Sequence, residues 1–329
     1  MSSDKYNKHE KYLKDSLSTY TDPVERLKAK LMEENENKTI EDLGGEEIET
    51  DHGKTFQITN REKIKFNLKS SKKVKKSINC DFKLLPGVGD STEFKLKTDG
   101  FKTMKDLTQH PRFGPKAEIF LEKVNNGLAC DIIDLVKNRY PASHKRVLEC
   151  AGFKEPEHFI FLDIETMGLS NVPVILMGEA TLQDDEIEVK QYLLCDYGEE
   201  PAVLSAFTSH VNEDTAFVSF NGASFDLPFI KNRLRFFSIK NDLNRPHFDL
   251  LHFSRRFWKD DLPNCQLTTI EEHLFDIERI DDVPSSDIPD YYKTYHQTGN
   301  IGPLVPIIEH NRMDIVTLAL IMSRMHEDL

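Results

Sequence analysis

The stretch Phe159-Ile160-Phe161-Leu162-Asp163-Ile164-Glu165-Thr166 narrows the possible folds more than any other. Four apolar residues in a row, in so short a run, read as a buried strand. Strand side chains alternate, so Asp163 and Glu165 share a face at its polar end. No basic residue stands beside them in sequence. Two like charges at the mouth of a buried strand need something positive between them, and a divalent cation is the usual solution. The alternative is a strand that simply surfaces and ends in polar residues.

The chain of 329 residues has room for two domains and a sizeable core. No apolar run approaches the ~20 residues of a membrane span. Residues Met1 to Lys14 are charged and lack an apolar signal core, so secretion is not expected. Five scattered cysteines (Cys80, Cys130, Cys150, Cys195, Cys265) contain no CxxC pair. They point to reduced thiols and a cytoplasmic location, with no zinc site or disulfide frame. The net charge of −13 divides unevenly: −5 over residues 1–60, +9 over 61–150 and −17 over 151–329. A basic middle beside an acidic C-terminal half suits a nucleic-acid arm next to a metal-dependent site, or else plain solvated surface.

Residues 1–43 read as a polar helical extension. Asp22-Pro23 resembles a cap followed by proline at the first helical position, opening a helix through about Glu36 with a thin Leu27/Leu31 stripe. Residues 44–78 read as a small β-hairpin and a basic linker. Gly44-Gly45 and His52-Gly53 mark turns, and Ile48, Phe56, Ile58, Ile64, Phe66 and Leu68 alternate with polar residues. Lys72, Lys73, Lys75 and Lys76 are either a solvated connector or a strip that contacts phosphates.

Residues 79–155 carry Leu84-Leu85-Pro86-Gly87-Val88-Gly89, then Phe94, Leu96 and Gly100-Phe101. The pattern resembles the helix-hairpin-helix motif. Gly87 and Gly89 would let a turn approach a nucleic-acid backbone and offer free N–H groups at a helix start. Such motifs grip phosphates without reading sequence. A degenerate second copy follows at His110–Ala117. Asp90, directly after the second glycine, is a departure that leaves a packing or protein-contact role open. A helix-like segment from Leu128 to Cys150 bridges to the last domain, 156–329. There strand-like runs at Phe159–Leu162, Val174–Met177, Val189–Cys195, Ala216–Phe220 and Phe248–Leu251 alternate with helix-like stretches at Pro201–Val211, Leu227–Phe237, Thr268–Phe275 and Val305–Met325. That order fits a mixed α/β sheet.

Three stretches then line up: Asp163-Ile164-Glu165-Thr166-Met167-Gly168-Leu169, Asn221-Gly222-Ala223-Ser224-Phe225-Asp226, and His310-Asn311-Arg312-Met313-Asp314. Together they resemble the DEDD superfamily of 3′→5′ exonucleases on the ribonuclease-H fold. The Asp281-Asp282-Val283-Pro284, Ile288-Pro289, Tyr291-Tyr292 and His310-Asn311 runs are similar to the YprB-type ribonuclease-H-like family. The resemblance covers about residues 156–329 and implies an α/β fold: a ribonuclease-H-like mixed sheet flanked by helices, with the hairpin and the helix-hairpin-helix region before it.

It further implies two divalent cations, Mg²⁺ or Mn²⁺, held by Asp163, Glu165, Asp226 and Asp314, with His310 activating water. Hard cations with oxygen ligands suit phosphodiester hydrolysis, because negative charge develops on the attacking and leaving oxygens. His310 and Asp314 lie four apart and share a helix face. The better-known subfamilies place histidine five residues before the last aspartate, or tyrosine four before. Histidine at the tyrosine spacing leaves His310 open between a general base and a helix-surface histidine. Thr166 and Leu169 are candidates to position the terminal nucleotide and Phe225 to stack near a base, although Leu169 and Phe225 read equally well as core; Asn221 is open between holding its motif's turn and touching the substrate. Tyr291 and Tyr292 are open between cleft and core.

The expected function is a metal-dependent nuclease, a 3′→5′ exonuclease with DNA favoured over RNA as partner. The rivals are a non-catalytic nucleic-acid-binding scaffold of a repair complex, and an RNA-trimming or structure-selective endonuclease.

Overall fold

A computed structural model describes residues 23–329, so the expected Asp22 cap lies outside the described residues. Seven strands form one sheet: β1 (Gly45–Thr50), β2 (Gly53–Lys63), β3 (Phe159–Thr166), β4 (Val174–Gln183), β5 (Glu186–Leu193), β6 (Ala216–Ser219) and β7 (His247–Asp249). Their spatial order is β1-β2-β5-β4-β3-β6-β7. The first five positions pair antiparallel, while β3–β6 and β6–β7 are parallel. The sheet is therefore mixed, as the element order implied. Its apolar opening run makes β3 an interior strand, buried on both faces.

Two stretches differ from the sequence expectation in an instructive way. The N-terminal hairpin turns at Asp51-His52, with Gly53 at φ +113. It does not stand apart, because β2 continues the large sheet by pairing Phe56↔Leu193 through Lys63↔Glu186 with β5. β4 runs on past Met177 to Gln183. Gly178-Glu179 interrupts the apolar run, but the buried Glu179 carboxylate accepts from the Tyr192 hydroxyl at 2.8 Å, so the strand need not end there.

The first helix, α1 (Pro23–Glu34), docks on the C-terminal half of the chain. Leu31 is buried, Lys28 pairs with Asp290, the Tyr291 hydroxyl donates to the Val24 carbonyl at 2.8 Å, and the Asn300 amide donates to the Met32 carbonyl at 2.9 Å. Six helices follow the hairpin: α2 (Ser71–Ile78), α3 (Asp90–Thr98), α4 (Met104–Leu107), α5 (Gly114–Asn126), α6 (Ala129–Lys137) and α7 (Lys145–Glu149). The stretch expected as a basic linker is thus mostly helix. Val74 and Ile78, four apart, are both fully buried and give α2 its inner face. Lys72, Lys73 and Lys76 lie exposed on the outside. The expected Leu128–Cys150 helix is broken between α6 and α7, where Pro141 cannot continue a helix. The apolar core of this region is continuous with one face of the sheet.

The last six helices are α8 (Glu200–Thr208), α9 (Asp226–Phe236), α10 (Leu250–Trp258), α11 (Leu267–Phe275), α12 (Ile288–Thr298) and α13 (Leu304–Glu327). The alternation along β3 sorts them. Phe159 and Phe161 pack with Phe253 of α10, Ile270 of α11, and Ile315, Leu318 and Met322 of α13. Ile160, Leu162 and Ile164 pack with Phe207 of α8, Ile230 of α9 and Tyr291 of α12. Tyr291 and Tyr292 are therefore core residues; the Tyr292 hydroxyl donates to the Leu194 carbonyl at 2.7 Å.

Candidate active site

The polar end of β3 opens into a cleft of about 640 Å³ lined by Asp163, Glu165, Thr166, Leu169, Asn221, Phe225, Asp226 and Asp314. Residues far apart in sequence thus meet here. The β3–β4 register slips between Glu165 and Thr166, bending the strand where its carboxylates emerge. Thr166 spends its hydroxyl on the Gly168 carbonyl at 2.7 Å, which shapes the following loop. Leu169 on that loop is 86% exposed, so it is not core. Phe225 is half-buried, facing both the cleft and the core.

Asp226 opens α9, where the helix dipole favours an anion, and its Oδ1 accepts from the Ile164 N–H at 3.2 Å. The preceding turn is pinned by Asp249, a buried residue that the sequence reading did not single out. Asp249 accepts from the N–H of Asn221 at 2.8 Å and of Ala223 at 3.1 Å. Asn221 adopts φ +68, a conformation asparagine tolerates in a turn, and it also lines the cleft.

Asn311 on α13 fixes Asp163. Its amide donates to Asp163 Oδ2 at 2.8 Å and to the Asp163 carbonyl at 3.1 Å, while its Oδ1 accepts from Gln191 at 2.8 Å. Gly178 makes the approach possible, because a Cβ there would lie 2.1 Å from Asn311 Oδ1. One helical turn apart on α13 are His310 and Asp314. His310 is buried, which removes the helix-surface alternative. Its Nδ1 lies 2.7 Å from Asp282 Oδ1, and its Nε2 lies 3.8 Å from both Glu165 Oε1 and Asp314 Oδ2. Asp282 and Arg279, which grips Asp314, are further site neighbours that sequence reasoning did not assign. Asp282 did stand in one of the runs that carried the resemblance.

The electrostatics follow from crowding. Burial first, and the mutual repulsion of the other carboxylates second, push Asp163 well up from its ordinary value. Burial raises Glu165 to about 8, against the opposing pull of His310, and raises Asp226 to about 7. Asp314 is also raised by burial, although His310 and Arg279 pull the other way. For His310, burial lowers the pKa, but the hydrogen bond to Asp282 and the charges of Asp314 and Glu165 outweigh it and lift the imidazole to about 9. Neither Asp163 nor Asp226 has a cationic side chain within ion-pair distance among the described residues. Among those residues, no three His, Cys, Asp or Glu side chains already converge on one ion position. The carboxylates line the cleft, and an all-oxygen donor set in which Asp163 and Asp226 have no cationic partner fits a hard divalent cation.

A sequence profile of the RNase H superfamily matches residues 160–326. The chain belongs to that superfamily. Over 199 residues it is 32% identical to the uncharacterized protein YprB of Bacillus subtilis (strain 168), which covers 58% of this chain and 47% of the relative. The chain spans about half the length of that curated relative. The superfamily includes nucleases, which usually use divalent metal ions. No helix among the described residues is long and apolar enough to cross a membrane.

The remaining residues singled out in sequence lie outside the cleft. Gly87 makes a turn at φ +88 and Gly89 caps α3. Asp90, the departure from the motif, pairs with Lys83 at 3.0 Å. Lys72, Lys73, Lys75 and Lys76 sit on α2.

Proposed function

We propose that this chain is a metal-dependent nuclease, a 3′→5′ exonuclease acting on DNA, with its chemistry in the β3 cleft. The observation that carries the reading is the meeting of four acidic side chains from β3, α9 and α13 in one cleft, two of them with no cationic neighbour among the described residues. Asp163, Glu165, Asp226 and Asp314 would hold two divalent cations, Mg²⁺ or Mn²⁺. Such ions, when bound, neutralise charge on the attacking and leaving oxygens of a phosphodiester.

The chain's own residues do the rest. Asn311 fixes one oxygen of Asp163, and Asp249 holds the turn that presents Asp226. His310 is oriented through Nδ1 by Asp282, while Nε2 lies 3.3 Å from the Ser285 hydroxyl and 3.8 Å from Glu165 and Asp314. At neutral pH the imidazole is a cation in the metal-free cleft, so it cannot accept a proton from water there. With cations held by Glu165 and Asp314, a further positive charge on the imidazole beside them would be opposed, which brings His310 toward a general base. Leu169 at the cleft mouth and Phe225 within it offer apolar surface to a terminal base. The exposed lysines of α2 and the Gly87 turn would hold the duplex or strand by its phosphates, and the choice of DNA rests on the resemblance of that turn to helix-hairpin-helix units.

The experiment is cleavage of 3′- and 5′-labelled single- and double-stranded DNA and RNA, with Mg²⁺, Mn²⁺ or EDTA, beside a circular substrate. Metal-dependent shortening of linear DNA from its 3′ end, with circles untouched, is the expected result. Cutting of circles would replace the exonuclease reading with an endonuclease, and preferential trimming of RNA would replace the DNA substrate.

A further inference from the structure

Behind the cleft, in the loop between α11 and α12, lies Arg279, with its side chain only 6% exposed. Its guanidinium donates through Nε to Glu271 Oε2 at 2.7 Å and through Nη2 to Glu271 Oε1 at 2.6 Å. Two parallel bonds of this kind fix the plane of the fork. Glu271 is itself fully buried on α11 and accepts from the Thr317 hydroxyl of α13 at 2.5 Å, so the clamp is anchored to two helices. From that fixed plane Nη2 also donates to Asp314 Oδ1. Nη1 stands 3.4 Å from His310 Nδ1 and 3.7 Å from Asp282 Oδ2. Arg279 is not among the residues that line the cleft. Among the described residues, Asp314 is the one carboxylate of the four that a guanidinium holds, and its other oxygen, Oδ2, is the one turned toward His310 Nε2.

We infer that Arg279 is a positioning residue of the hydrolytic centre: an internal counter-charge that ties down Oδ1 of Asp314 and presents Oδ2 alone to the cleft. The inference rests on the reading of the cleft as a divalent-metal centre. Two consequences follow. Asp314 is a restrained, single-oxygen donor, so its direction is set before any cation arrives. The same guanidinium competes with a cation for Asp314 and repels it, so the centre gains geometry at the expense of affinity. Removing the guanidinium should therefore tighten cation binding while slowing hydrolysis, a combination that a purely structural arginine would not produce.

Arg279→Gln alone leaves Glu271 buried without its partner and invites misfolding. The double variant Arg279→Gln/Glu271→Gln removes both charges and keeps a hydrogen-bonding pair. Thermal stabilisation by Mn²⁺ alone, titrated without nucleic acid, gives the half-saturating concentration for wild type and variant. Turnover of a 3′-labelled single-stranded oligonucleotide gives kcat and KM. The expected result is a lower Mn²⁺ midpoint in the double variant, with kcat down about 10–100-fold, the range of outer-shell substitutions at metal sites, and KM unchanged. A midpoint that is unchanged or higher, or a kcat equal to wild type, overturns the inference. If wild type itself shows no Mn²⁺ stabilisation, the metal-centre reading falls and takes this one with it; the two failures are thus separate results.

Discussion

A single methyl group added at Gly178 should disable the cleft from the middle of the sheet. Gly178 is on β4, paired with Asp163 on β3 and Gln191 on β5. A Cβ there would lie 2.1 Å from Asn311 Oδ1 and 2.4 Å from Ile315 Cδ1, both on α13. Gly178→Ala forces one of two outcomes. If α13 holds its place, the core carries overpacking strain of about 1–3 kcal/mol. If α13 moves away, Asn311 loses its amide bond to Asp163 and leaves a buried acceptor unsatisfied, at a cost of about 1–3 kcal/mol. Either route lowers stability by about 2 kcal/mol, read as a shift in the urea midpoint. Only the second also displaces His310 and Asp314, which ride on the same helix. The clash with Ile315 as well as Asn311 favours movement of the helix, and a misplacement near 1 Å costs about 10²-fold in rate. Hydrolysis by the folded variant, measured below its unfolding temperature, is the assay. A variant that folds and cleaves like wild type would refute the argument that Asn311 and α13 set Asp163.

The other predictions concern charge. Reversal of Lys72, Lys73, Lys75 and Lys76 to Glu should weaken nucleic-acid binding and flatten its salt dependence, by up to about 0.9 in log–log slope for each duplex phosphate left without its lysine; unchanged affinity and slope would make α2 a packing helix only. In the metal-free protein Glu165 keeps its proton up to about 8, against 4.5 for an ordinary glutamate. The folded chain therefore binds the extra proton across that window, and stability falls as pH rises through it. Urea midpoints at pH 5, 6.5 and 8 should decline without cation and be restored by Mn²⁺, most at pH 8; a flat profile would contradict a buried, unneutralised carboxylate cluster. Glu200→Ala strands the buried Arg233, which donates to both Glu200 oxygens, and should destabilise by about 3–5 kcal/mol in denaturant titration; a loss under about 1 kcal/mol would mean that Arg233 finds solvent.

The parts of the fold that were legible in sequence are those governed by local patterning. β3, β6, α9 and α13 carry unbroken apolar runs or helical spacing, and their ends fall within a few residues of where the pattern ends. The four carboxylates stood out because Asp163 and Glu165 follow an apolar strand run, Asp226 opens α9, and Asp314 stands one helical turn after His310 within α13. What was hidden is non-local. The pairing of β2 with β5 joins residues more than a hundred positions apart, so the hairpin looked separate. α2 has only Val74 and Ile78 to mark its inner face among lysines, and so looked like a linker. Asp249, Asn311, Arg279 and Asp282 act through hydrogen bonds to other elements, and an isolated acid or amide in a sequence does not announce its partner. Leu169 reads as core by type, yet lies exposed because the loop after Thr166 turns it toward the cleft mouth.

The most direct test of the central claim is hydrolysis of end-labelled DNA in Mn²⁺ by wild type and Asp163→Ala, with binding measured alongside by the same oligonucleotide. Asp163 sits where β3 meets the cleft and accepts from Asn311, so its loss should abolish cleavage while binding remains near the wild-type level. Cleavage by Asp163→Ala at the wild-type rate would move the chemistry out of the β3 cleft and contradict the assignment.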